Sequence, residues 1–108
     1  MSLSEAQFHD LIDDLQNAIE DAFDDSDLDV DLGNSGGVLT VRLENGSQLI
    51  FSRQAPLLQL WIAARSGGYH LDCKDGSWLC DSTGEDLPTL LVRVSAEQGA
   101  EGVDFSAL

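Results

Sequence analysis

Apolar residues recur at helical spacing near the start of the chain. Phe8, Leu11, Ile12, Leu15, Ile19, Ala22 and Phe23 fall within an arc of roughly 120° when successive residues are turned by about 100°. The opposite arc is acidic, with Asp10, Asp13, Asp14, Glu20, Asp21, Asp24 and Asp25. This predicts an amphipathic helix over about 4–25. The period then shortens to 2, because Asp27, Asp29 and Asp31 alternate with Leu28, Val30 and Leu32. Such alternation predicts a half-buried strand with three carboxylates on one face.

Short alternating runs follow, separated by turn residues. Gly33-Asn34-Ser35-Gly36-Gly37 predicts a turn, and 38–43 a strand with Leu39, Val41 and Leu43 on one side. Glu44-Asn45-Gly46-Ser47 reads as a hairpin, since Asn-Gly tolerates the positive φ angles such turns need, and 48–53 is the next strand. After Gln54-Ala55-Pro56, a strand over 57–65 would place Leu58, Leu60, Ile62 and Ala64 on one face. Its other face would hold Leu57, Gln59, Trp61, Ala63 and Arg65. Ser66-Gly67-Gly68 and Asp75-Gly76 turn the chain into strands over 69–74 and 77–81. Leu87, Leu90, Leu91 and Val94 return to helical spacing over about 85–98, with Ser82/Glu85 or Thr83/Asp86 as a capping box. Pro88 favours the later start. Gly99 and Gly102 end this helix, and Val103, Phe105 and Leu108 on the tail 100–108 are placed to cover an apolar gap.

The order predicts an α+β fold, a two-layer α-β sandwich with two terminal helices packed on one face of a roughly six-stranded antiparallel sheet. The strands lie within about 28–81, in a single domain over 1–108. The other sheet face would be open to solvent, with Trp61, Gln59 and Arg65 on it. A large aromatic there is either an interface candidate or a ring lying flat over its neighbours.

With 108 residues and 43% apolar content the chain can bury one core, and it is too apolar for disorder despite a net charge of −15. Five basic residues against twenty acidic ones disfavour nucleic acid and anionic membranes as partners. No apolar run reaches the ~20 residues of a membrane span, and the start lacks the basic and apolar regions of a signal peptide. A cytoplasmic monomer, or an already trimmed chain, is expected. Cys73 and Cys80 are too few for a disulfide scaffold and are expected as reduced, buried thiols, diagonal to each other across the Asp75-Gly76 hairpin.

The charge is concentrated where it costs most. Residues 5–31 hold eleven carboxylates, His9 and no Lys or Arg. Asp10/Asp14, Glu20/Asp24 and Asp21/Asp25 are like charges four residues apart, each pair unfavourable by about 0.2–0.5 kcal/mol. Asp24 and Asp25 also crowd the negative end of the helix dipole, at about 0.3–1 kcal/mol each. A cost of this kind points to cations or a basic partner. Carboxylates alone select hard cations: ferrous or ferric iron, manganese, magnesium or calcium. An EF-hand beginning at Asp27 is excluded, because Leu32 and Val38 stand where glycine and the bidentate glutamate belong. A rigid helix and strand cannot wrap an ion, so weak, exchangeable sites of one to three carboxylates with water are expected. His9, four residues from both Glu5 and Asp13, reads as a solvated surface residue or else an added nitrogen ligand, and His70 as facing the open sheet side, with a metal role the lesser reading; no zinc constellation is present. No nucleophile elbow, phosphate loop or dinucleotide fingerprint occurs, so an enzyme is not expected.

Taken jointly, several stretches resemble the frataxin family, most closely its bacterial branch. They are the acidic first helix and strand, Gly36-Gly37-Val38-Leu39-Thr40, Glu44-Asn45-Gly46-Ser47, Arg53 through Trp61 (RQAPLLQLW), Gly67-Gly68-Tyr69-His70, and Trp78-Leu79-Cys80 before Ser82-Thr83-Gly84-Glu85. The resemblance implies a role in iron–sulfur cluster assembly, with weakly held iron on the acidic ridge and docking on cysteine desulfurase and its scaffold protein. Carried across by position, it implies Glu20, Asp21, Asp24, Asp25, Asp27, Asp29 and Asp31 as iron candidates, with other divalent cations also accepted. It implies Trp61, Gln59 and Arg53 as partner-binding residues. The alternative is an acidic interaction module whose metal binding is incidental.

Overall fold

The computed structural model describes residues 3–74, 77–106 and 108. A helix α1 (Glu5–Asp24) leads into six strands, β1 (Asp31–Ser35), β2 (Val38–Arg42), β3 (Gln48–Gln54), β4 (Gln59–Ala64), β5 (Gly67–Lys74) and β6 (Ser77–Cys80), and then α2 (Leu87–Glu97). The strands lie in sequence order β1 to β6, and each neighbouring pair is antiparallel. Both helices cover one face of this meander. The expected two-layer α+β architecture is therefore the one observed.

The core lies between the layers. Phe8, Ile12, Leu15, Ile19 and Phe23 of α1 meet Leu39, Val41, Leu49, Phe51, Leu60, Ile62 and Leu71 of the sheet and Leu87, Leu90, Leu91 and Val94 of α2. Each large apolar side chain so enclosed contributes about 1.5–3 kcal/mol. Val103 and Phe105 of the tail close the gap between the helices, Phe105 meeting Phe23 edge-on at 5.5 Å between ring centroids. Leu11 departs from its expected place on the buried arc and is 38% exposed.

Two N-caps fix the helix starts. Ser4 accepts from the Gln7 N–H and its own N–H donates to Gln7 Oε1, a reciprocal box. For α2 the cap is Asp86, whose Oδ1 accepts from the Thr89 N–H at 2.9 Å. Neither box expected from Ser82 or Thr83 forms, because Pro88 fits only within the first turn.

Strand boundaries shift where local chemistry overrides alternation. Ser26 Oγ donates to the Phe23 carbonyl at 2.6 Å as α1 ends, and the chain then crosses to the sheet edge. Asp27 and Asp29 therefore lie in this crossing rather than on a strand, and only Asp31 is in β1, although the three carboxylates stay exposed while Leu28, Val30 and Leu32 turn inward. Gly33, Asn34 and Ser35 belong to β1, leaving Gly36-Gly37 as a two-residue turn with φ of 61° and 81°. Pro56 sits in a 3-10 turn (Ala55–Leu57) and Leu58 is left-handed at φ 52°, so β4 begins at Gln59 and not at 57. Gly67 and Gly68 join β5, and Asp81 falls in a turn. The expected Asp75-Gly76 turn lies outside the described residues; Cys73 pairs with Trp78 and Leu71 with Cys80, the register such a turn requires. Both thiols are free, Cys80 buried and Cys73 half-buried.

Two buried amides tie the layers together. Gln16, 2% exposed, donates to the carbonyls of Gly37 (2.8 Å) and Phe51 (3.3 Å) and accepts from Asn34 and Arg53. Gln98, also 2% exposed, donates to Ser47 Oγ and the Gln48 carbonyl and accepts from the Arg65 N–H at 2.8 Å. Its own carbonyl accepts from Asn45 Nδ2 at 2.6 Å. Satisfied in this way, neither amide leaves a buried polar group without a partner.

Candidate functional site

The acidic ridge begins where α1 ends. Glu20, Asp21, Asp24 and Asp25 occupy the last turns of the helix and its cap, with no basic residue in the final turn. Asp27 and Asp29 continue along the crossing, and Asp31 opens β1. All are exposed except Glu20, which is half-buried. Among the described residues none of the seven makes a salt bridge. The ridge is thus an uncompensated strip of negative charge along one edge of the molecule.

The structure divides that strip. Asp21 and Asp25 share a cleft of about 390 Å³ with Ala18, Ala22, Ser26, Gly102 and Asp104, so the tail supplies a third carboxylate that sequence spacing did not reveal. The Ser106 N–H, 2.9 Å from Asp104 Oδ1, holds that carboxyl below the usual carboxylate range. Asp29 lines a separate cleft of about 400 Å³ with Glu44, over an apolar floor of Leu28, Val30 and Leu43. Among the described residues no three His, Cys, Asp or Glu side chains converge on a point that could hold an ion. The donor set fits hard cations by its chemistry, in open sites of one or two carboxylates with water completing the shell.

A second feature lies on the sheet face turned away from the helices. Trp61 stacks on His70, with ring centroids 4.3 Å apart and planes 18° from parallel. Trp61 Nε1–H donates to Gln59 Oε1 at 3.0 Å, and Gln59 Nε2–H donates to Asp72 Oδ1 at 3.1 Å. Indole, imidazole, amide and carboxylate form a fixed platform on β4 and β5. Trp61 and Gln59 are together here, and His70 faces the open side as its parity implied.

Arg53 is elsewhere. It pairs with Leu60 across the β3–β4 ladder and so points to the helix side, away from Trp61 and Gln59. Its Nη2 donates to Asp13 at 2.9 Å and to Gln16 at 3.1 Å, and Nη1 lies 3.1 Å from His9 Nδ1. His9 is therefore engaged by a guanidinium rather than merely solvated. A Cβ on Gly37 would sit 3.2 Å from Arg53 Nε, which, with the positive φ, explains glycine there.

Ridge and platform are well separated. Following the registers, Asp31 and Trp61 lie three strands and four residues apart, roughly 20 Å by ordinary strand spacing and rise.

The chain matches the family model for a frataxin-like domain over residues 1–101. It is 64% identical to the iron-sulfur cluster assembly protein CyaY of Stutzerimonas stutzeri, and the match covers 100% of each chain. It is 63% identical to the protein of the same name from Azotobacter vinelandii, again over 100% of each. Among solved structures, frataxin from Psychromonas ingrahamii superposes with a TM-score of 0.88 at 37% identity, covering 95% of this chain and 98% of that one. On its fold and its sequence alike, the chain belongs to the frataxin family.

Proposed function

We propose that this protein modulates iron–sulfur cluster assembly by presenting iron and a negative docking strip to the cluster-building machinery. The observation that carries the reading is the ridge, seven carboxylates from Glu20 to Asp31 with no cationic partner among the described residues. Ferrous or ferric iron is the cargo, held weakly by Glu20, Asp21, Asp24, Asp25, Asp27, Asp29 and Asp31. The macromolecular partners are a cysteine desulfurase and a scaffold protein offering basic surface to the ridge, with Trp61 and Gln59 as a separate contact. The names carried by the relatives from Stutzerimonas and Azotobacter support the pathway. Arg53 acts in this reading as a support, holding α1 on the hairpin through Gln16 and Asp13. The exposed carboxylates carry out no catalysis, and the protein works as a cytoplasmic monomer. Among the described residues no helix is long and apolar enough to cross a membrane.

Capture of cysteine desulfurase with and without ferrous iron, repeated after Asp24→Asn, Asp27→Asn and Asp29→Asn, tests this. Binding that falls steeply with salt and with amide replacement is expected. Unaltered capture by the neutralised chain would refute the ridge as the docking strip.

The alternative, an interaction module with incidental metal binding, draws on the absence of any three-ligand convergence among the described residues. It is favoured if ferrous iron fails to raise the melting temperature at matched ionic strength while desulfurase capture persists in chelator.

A further inference from the structure

The two edges of the sheet are finished differently. At β6, Leu79 bridges Asp86, and the Cys80 N–H donates to the Glu85 carbonyl at 2.8 Å, so the segment leading into α2 lies along that edge. At β1 nothing comparable exists among the described residues. Among the described residues, no backbone group of Asp31–Ser35 bonds to backbone outside its pairing with β2.

The register says which groups are left over. Ser35 and Val38 flank the two-residue turn and so form its closing hydrogen-bonded pair. Hydrogen bonding alternates along an antiparallel ladder, so Gly33/Thr40 and Asp31/Arg42 are bonded pairs too. Leu32 and Asn34 therefore aim their N–H and C=O groups away from the sheet. Folded proteins usually guard such an edge with proline, lysine, a bulge or a covering segment. The sequence of β1, DLGNS, contains neither proline nor lysine.

What guards it is negative charge. Asp31 stands on the edge strand, and Asp27 and Asp29 approach it, all exposed. A second copy of the chain would bring another net charge of −15 to that edge, whereas a basic strand would be drawn to it. Gly33 adds room, since a Cβ at that position meets nothing within 4 Å.

We propose that the free edge of β1 is a strand-addition site for an extended, lysine- or arginine-bearing segment of a partner protein. The segment pairs its backbone with Leu32 and Asn34 and sets a basic side chain beside Asp31. The partner's charge rests on the function proposed above; the backbone pairing does not.

The test uses the full chain, 15N-labelled, and a capped seven-residue peptide of alternating lysine and valine. A second peptide has the same sequence and charge but N-methyl groups along one backbone edge. The expected result is that the first peptide slows exchange of the Leu32 and Asn34 amide protons at least tenfold, while the N-methylated one binds at least tenfold more weakly and protects neither. Asn34→Pro removes one outward donor and should weaken binding about tenfold. Asn34→Ala, which loses only the side-chain bond to Gln16, should not. Equal binding of the two peptides, absence of protection at these amides, or failure of both to bind would each overturn the inference. So would protection without peptide that grows with protein concentration, which would make a second copy the occupant. Failure of the desulfurase capture alongside a positive peptide result would refute the proposed function and leave the strand-addition site standing.

Discussion

Neutralising the end of α1 should make the protein more stable. Asp24 faces Glu20 and Asp21 one turn back, Asp25 faces Asp21, and both sit at the negative pole of a 20-residue helix with no basic residue in its last turn. Each like-charge pair costs about 0.2–0.5 kcal/mol and each misplaced anion about 0.3–1 kcal/mol. Because both carboxylates are exposed, the lower half of the combined range applies, so Asp24→Asn with Asp25→Asn should gain about 1–2 kcal/mol at low salt. For a domain of this size that is a rise of roughly 5–15 °C in Tm. Thermal melts followed by circular dichroism in dilute buffer measure it, and repeating them in about 0.5 M salt should shrink the gain by screening. Asp13→Asn provides the opposite sign, since Asp13 is paired with an Arg53 side chain only 14% exposed; because Asp13 itself is 62% exposed, the loss should be about 0.5–1 kcal/mol. If the double variant melts at or below the wild-type temperature at low salt, the ridge is not under electrostatic strain and the reasoning fails.

Gln16→Leu should destabilise by about 2–4 kcal/mol in urea titrations, because the Gly37 and Phe51 carbonyls lose their donor and Arg53 an acceptor. Gly37→Ala should cost about 1–2 kcal/mol from its positive φ alone, with further loss if Arg53 must move; a neutral result would contradict the turn geometry. Trp61→Phe keeps an aromatic ring beside His70 but loses the donor to Gln59, so stability should change by less than about 1 kcal/mol while desulfurase capture weakens. In acid, Glu85 matters: the hydrogen-bonded Arg93 guanidinium holds its carboxyl below the usual range, as Thr89 does for Asp86. Groups with depressed folded pKa values stabilise above their unfolded pKa and lose that contribution as pH falls through the folded value, so stability should drop below about pH 4 and Glu85→Gln should blunt the drop.

Much of the fold was written in local periodicity. The apolar stripe of α1 and the alternation around Leu39, Leu49 and Leu60 depend only on near neighbours, and they gave the layers and the meander. Boundaries failed where one residue changed the backbone, as at Ser26, Pro56 and Leu58. The helix-side placement of Arg53 was legible, since it continues the parity of the buried Leu49 and Phe51, whereas its grouping with Trp61 and Gln59 came from the family resemblance, which carries no parity. Gln16 carried a signal too, falling about 20° beyond Phe23 at the border of the apolar arc. Gln98, Asp104 and Glu44 carried none, because their neighbours come from distant parts of the chain. The ridge was visible as composition; its division between two clefts was not.

The Gln98 amide fastens three separate connections at one pole of the molecule: the end of α2, the loop between β2 and β3, and the turn between β4 and β5. None of the three can fray alone, because loosening any one breaks bonds belonging to the others. That pole should open as a unit, and the Arg65 amide, although it sits in a surface turn, should exchange with solvent about as slowly as the interior of the sheet.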